Sequence, residues 1–205
     1  MFIQNKSPRT TGVACFTSLY ILGFVTLAII QSNFQFLYNI AVLSILATTI
    51  YIAHKRISYH LNLLWFLSFW GLMHLAGGLI AIPESLPTHG ENSTLYSLWL
   101  IPDYLKYDQL VHFYGFAVTT WLSWQTLCNI IHTRYQRRLM PTLGLLIICG
   151  TSSMGYGAVI EVVEFIATVF TTETNIDGYS NTGWDLIANL LGATFATITI
   201  KLRNL

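Results

Sequence analysis

The stretch PTLGLLIICGTSSMGYGAVIEVVEFIATVF, residues 141–170, decides the fold class. Its apolar run is longer than a helix needs to cross a hydrocarbon core of about 30 Å, yet it carries Glu161 and Glu164 one helical turn apart. A carboxylate near the middle of a bilayer costs about 2.5–3.5 kcal/mol even on lenient insertion scales. Two on one turn therefore call for a partner or a water-filled cavity.

The rest of the chain agrees with a membrane setting. Of 205 residues, 54% are hydrophobic and only 9% charged, and the mean hydropathy is +0.56, too apolar for a soluble domain. The reading is an all-α polytopic membrane protein: a single transmembrane domain over 1–205, a bundle of about six helices at 13–30, 34–53, 61–82, 109–131, 141–170 and 184–200. A net charge of +1 offers no basic surface for nucleic acid. Cys15, Cys128 and Cys149 sit in apolar segments at no metal-binding spacing and read as small buried hydrophobes. The first span, with Lys6 and Arg9 before it, reads as an uncleaved anchor.

With six spans, Lys6, Arg9, Lys55, Arg56, Arg134, Arg137, Arg138, Lys201 and Arg203 share one side and Lys106 stands alone on the other. The positive-inside rule then places both termini in the cytoplasm. The acidic residues Glu84, Glu91, Asp103, Asp108, Glu161, Glu164, Glu173, Asp177 and Asp185 all fall outside or in outer portions of spans. Acids do not set topology, so their segregation needs another cause. The long outer connection, residues 83–108, contains Leu95, Leu98, Trp99, Leu100 and Ile101. It is too apolar for a free loop and too short to span, and reads as a piece lying in the interface or over the helix ends, a candidate lid.

At about 1.5 Å per residue, Glu164, Glu161 and His74 lie about six, nine and eight residues below the outer ends of their spans, and Asp108 and Asp185 lie at the outer interface with His112 and Asn189 one turn deeper. Tyr107-Asp108-x-x-x-His112-x-x-Gly115 and Trp184-Asp185-x-x-x-Asn189-x-x-Gly192 share offsets of 0, 4 and 7, one face of a helix, with a glycine that admits a neighbouring helix. Asp108 and Asp185 also suit plain helix capping, and His112 and Asn189 plain inter-helix hydrogen bonding.

Tyr107–Phe113, Glu161-x-x-Glu164 and Asn181–Ala193 together resemble the YjdF-type bacterial inner-membrane proteins and the broader VanZ-like family, over roughly residues 61–200. The resemblance implies a multi-pass protein of the bacterial inner membrane and a link to resistance against the glycopeptide teicoplanin. It carries no catalytic residues with it. Asn92-Ser93-Thr94 would accept a glycan only in a eukaryotic host, and the resemblance points to a bacterium.

Three functions fit these residues. The first is a site facing the outer side that acts on a lipid-linked or cell-envelope substrate, with Glu161, Glu164, His112 and Asp108 as acid–base groups, or with a divalent metal ion held among His74, His112, Glu161, Glu164 and Asp185. An oxygen and nitrogen donor set without thiolate suits Zn, Mn, Mg or non-haem Fe, although no Glu-x-x-His or His-Glu-x-x-His signature is present. The second is a proton- or cation-coupled transporter, for which the inner halves of the spans supply almost no ionisable residues. The third is a non-catalytic scaffold or resistance factor in the membrane. A serine protease built on Ser152 and His74 is excluded by their opposite depths. The expected partners are membrane lipids and a lipid-linked small molecule.

The topology has a direct check. Cysteine labelling from outside should modify the loops around Glu91 and Asp177 and spare Arg137 and both termini; labelling at Arg137 would reverse the orientation.

Overall fold

Six helices form, and several of their ends have a visible local cause. The computed structural model describes residues 10–83, 85–88, 94–170 and 179–203, with backbone alone at Phe34, Gln35, Val163, Glu164, residues 167–170 and Tyr179. The acidic loop positions Glu84, Glu91, Glu173 and Asp177, the Asn92-Ser93 pair, and the terminal Lys6 and Arg9 lie outside the described residues. Helix α1 (Thr11–Ile30) stops at Ser32, whose φ of 54° turns the chain, and Asn33 opens α2 (Phe34–Ile57) by accepting a hydrogen bond from the Phe36 N–H at 3.0 Å. Ser58 closes α2 in the left-handed conformation, its N–H donating to the His54 carbonyl at 2.8 Å. Helix α3 covers Leu61–Leu79.

The chain falls into two compact units, residues 1–80 and 81–205. In the first, α1, α2 and α3 pack on one another around Ala28, Phe36, Ile40, Leu43, Leu75 and Leu79. Gly78 makes that packing possible, since a Cβ there would run into the Phe36 ring.

The second unit is built on α4 (Tyr107–Tyr135), α5 (Leu143–Phe170) and α6 (Tyr179–Leu202), each packed on the other two. Before α4, a 3-10 turn at Leu95–Ser97 leads into an antiparallel hairpin of β1 (Trp99–Ile101) and β2 (Leu105–Lys106), turned at Asp103 with a φ of 63°. The expected interfacial piece is thus a small β-hairpin that packs on α4. It presents Leu100, Ile101 and Tyr104 to the surface, Tyr104 with 82% of its area exposed. Three apolar residues on a two-strand ribbon leave no side chain long enough to bury them all.

The all-α membrane class holds. Among the described residues, five helices are long and apolar enough to cross a membrane: α1, α2 from Phe36, α3, α5 as far as Val162, and α6 from Ser180. Helix α4 is the sixth, and it is the polar one. Its hydroxyls are bonded within the helix, Thr119, Thr120, Ser123 and Thr126 each donating to the carbonyl four residues back at 2.8–3.0 Å. Its Gln109, Thr120 and Gln125 are buried. Several boundaries differ from expectation: α2 runs to Ile57 rather than Ala53 and α4 to Tyr135 rather than Ile131, α3 ends at Leu79 rather than Ile82, and α6 begins at Tyr179 rather than Trp184. The earlier start puts Asp185 about two turns inside α6, so it does not cap that helix. Cys149 is buried and Cys128 half-buried beside it, as expected, whereas Cys15 is exposed on α1, whose outward surface is itself apolar.

In lipid, apolar surface gains nothing from leaving its surroundings, so helices associate through close backbone approach and hydrogen bonds. Gly192 of α6 lies directly on the Phe113 carbonyl of α4, with Ala117 N only 3.1 Å from where a Cβ would stand. A Cβ on Gly157 of α5 would stand 3.0 Å from the Phe116 ring and 2.8 Å from the Asn189 amide nitrogen. Ser153, fully buried, donates to the Phe116 carbonyl at 3.1 Å and ties α5 to α4. Gly155, by contrast, faces open space. Gly192→Leu should therefore cost about 3 kcal/mol or more and lower both membrane accumulation and the melting temperature, while Gly155→Leu leaves both near wild type; size-exclusion thermostability in detergent reads the difference.

Candidate functional site

Helices α4 and α6 begin at the same end of the second unit, and their contact sets the site. Asp108 stands in the first turn of α4, whose N-terminus is closed by a capping box between Lys106 and Gln109. In that box the Gln109 side chain accepts from the Lys106 N–H at 2.9 Å. Asp108 is thereby released from capping, and the helix dipole still favours its charge. One turn on, His112 Nε2 lies 3.6 Å from Asp108 Oδ1. That is too long for a good hydrogen bond. From α6, Asp185 is 3% exposed and Asn189 1%. Asp108, His112 and Asp185 each offer one ligand atom, and these atoms lie within 4.8 Å of one another.

The His112 ring is held from its other side. Its Nδ1 lies 3.0 Å from Asn189 Oδ1; a carbonyl oxygen only accepts, so Nδ1–H is the donor. The ring stacks on Phe116 with centroids 6.2 Å apart. With the proton on Nδ1, the Nε2 lone pair points toward the carboxylates, which is the arrangement metal-bound imidazoles use. Two ligands about 2.1 Å from a shared ion at a near-tetrahedral angle stand about 3.4 Å apart, close to the observed Nε2–Oδ1 separation.

Helix α5 adds Glu161, half-buried. Thr182 bonds to its carboxylate, which also lies close enough to His112 and Asp108 to interact with them electrostatically. Its Oε1 is buried without a hydrogen-bond partner among the described residues, and so is Asn189 Nδ2. Buried polar atoms left so cost about 1–3 kcal/mol each unless a water, an ion or a substrate meets them.

Of the residues singled out in the sequence, Asp108, His112, Glu161 and Asp185 come together. Glu164 continues α5 one turn beyond Glu161, with its side chain outside the described residues. His74 belongs to the first unit, where its ring lies 5.7 Å from Trp70. Three further residues serve the site and had not been singled out. Lys106, 4% exposed, donates from Nζ to Asn181 Oδ1, and Asn181 Nδ2 donates to Asp185 Oδ2 at 2.7 Å; Thr182 reaches Glu161. Lys106 had a signal, being the lone basic residue on the acidic side with no topological reason to be there. Asn181 and Thr182 follow from carrying the 0, 4 pattern back one turn, from Asp185 to Asn181.

One comparison bears on identity: the family described as predicted membrane protein (DUF2238) matches residues 13–204. The chain belongs to that family. The match takes in every residue of the site and all of the six helices but the first two residues of α1. No curated protein and no solved structure matches the chain.

The His112–Asn189 bond predicts its own test. Nitrogen NMR of selectively labelled protein should show a neutral His112 ring protonated at Nδ1, and Asn189→Ala should shift the ring toward the other tautomer and cost about 1–3 kcal/mol of stability.

Proposed function

We propose that the second unit is a metal-assisted acid–base site acting on a lipid-borne substrate of the cell envelope. The observation that carries this reading is the His112 ring, held through Nδ1 by Asn189 with Nε2 beside Asp108 and Asp185. A divalent cation bound by Asp108, His112 and Asp185 would polarise a substrate oxygen or lower the pKa of a bound water. Glu161 is the group within the site able to take that proton and return it to a leaving group. Lys106, acting through Asn181, holds the Asp185 carboxylate in place.

Several features support a lipid-borne substrate. Two of the three helices that build the site, α5 and α6, are apolar enough to span, and the hairpin joined to α4 exposes Leu100, Ile101 and Tyr104, side chains suited to an interface. The asymmetry of basic residues puts this end of α4 and α6 on the outer side of the inner membrane, with both termini cytoplasmic. The resemblance to YjdF-type and VanZ-like proteins agrees with an envelope role. A transporter is the weaker reading. Between His112 and Arg134 on α4, and between Asp185 and Lys201 on α6, the sequence has no Asp, Glu, Lys, Arg or His to carry a charge onward, apart from His132 beside Arg134.

Elemental analysis of the detergent-purified chain tests the proposal. It should find about one equivalent of a divalent first-row metal or magnesium, lost in Asp185→Asn and retained in Glu161→Gln. Both variants should abolish whatever phenotype deletion produces while keeping near-normal accumulation. Metal-free protein that still complements the deletion in the presence of chelator would overturn the metal. Glu161→Gln that complements fully would overturn the acid–base role.

A further inference from the structure

The first unit holds a half-open cavity of about 350 Å³ lined by α1, α2 and α3. Well-packed interiors leave few voids larger than a water molecule, and a cavity of this size falls at the lower end of those that hold small ligands. Its walls are mostly aliphatic and aromatic, and no Asp, Glu, Lys or Arg lines it among the described residues. A dry, uncharged pocket between apolar helices is filled from the bilayer, by molecules already dissolved there.

Its polar groups sit at two levels. Deeper in, Thr17 and Ser68 share a 2.6 Å hydrogen bond, and Tyr20 bonds to both. Gly71 leaves the room that Tyr20 needs, since a Cβ there would lie 2.6 Å from the tyrosine oxygen. These three hydroxyls satisfy one another and ask nothing of a ligand. Thr10, Ser18 and Tyr51 also line the wall, Ser44 and Thr48 donate there to carbonyls of their own helix, and His54 stands in the last turn of α2. It lines the cavity, is 4% exposed, stacks on Tyr59 at 6.3 Å, and has a buried Nδ1 with no hydrogen-bond partner among the described residues. His54 stands near the helix ends, where the head of an amphiphile belongs, while Leu43 and Ala47 line the wall one to three turns deeper.

We propose that this cavity binds a neutral single-chain amphiphile, its hydroxyl or carbonyl head at His54 and its chain along Leu43, Ala47 and Trp70. A charged head is disfavoured because, among the described residues, no counter-charge lines the walls and the surroundings are apolar. The proposal does not depend on the site among α4, α5 and α6.

Trp70 supplies the reporter, because bromine quenches indole fluorescence only at close range. Bromoundecanol should quench the full-length chain in detergent with saturation, and Trp70→Phe should lack that saturable component. Ala47→Phe, which fills the cavity, and His54→Phe, which keeps the ring stacked on Tyr59 but removes its nitrogens, should each weaken binding about tenfold. Bromoundecyltrimethylammonium, with the same chain and a fixed charge, should not compete. Quenching that rises without saturation, or an affinity unchanged in Ala47→Phe, would overturn the site. Equal competition by the ammonium compound would overturn the neutral head. Should Ala47→Phe fail to accumulate, His54→Phe decides by the same titration.

Discussion

The contact of Gly192 with the Phe113 carbonyl is the constraint on which the second unit depends. Two helices in lipid have no hydrophobic reason to meet, and what holds them is how closely their backbones approach. With hydrogen at that position, α6 lies against α4 closely enough for Asn189 to reach His112, one turn from Gly192 on its own helix. Any larger side chain would push the helices apart by more than a 3.0 Å hydrogen bond can follow. Packing and chemistry are thus one geometric fact: the glycine that lets the helices touch also brings the acid and imidazole groups of two spans to within 4.8 Å.

Much of this was legible in the sequence, because helical period and glycine placement are local. The offsets from Asp108 to His112 to Gly115 and from Asp185 to Asn189 to Gly192 give each helix one polar face ending in a small residue, and those faces meet. The membrane class follows from apolar length. What could not be read was partnership at a distance. Lys106 and Asn181 are 75 residues apart, and no periodicity links a strand end to a helix start. The hairpin was missed because its strands are only three and two residues long, too short for alternation to register. The start of α6 was placed late because Asn181, Thr182 and Gly183 are weak helix formers; packing against α4 overrides that preference.

Charge placement follows the same economy. The acids on α4 and α6 are not left to the bilayer: Asp185 is met by Asn181, and Asn181 by Lys106. A lysine only 4% exposed is tolerable here because Asn181 accepts from it and links it to the Asp185 carboxylate. This basic residue contributes nothing to orienting the chain across the membrane, and its position is explained by the acids it compensates.

The polarity of α4 has a further consequence, for the order in which the protein is made. The helix central to the second unit is the one that falls short of spanning on its own hydropathy, and its partners α5 and α6 are translated after it. A segment that partitions weakly by itself, with Gln109, Thr120 and Gln125 buried, gains its contacts at Phe113 and Phe116 only when Ser153 and Gly157 of α5 and Gly192 of α6 arrive. Biogenesis of this unit is therefore a concerted event completed only when the last helix leaves the ribosome, and truncation before α6 should leave α4 exposed to quality control.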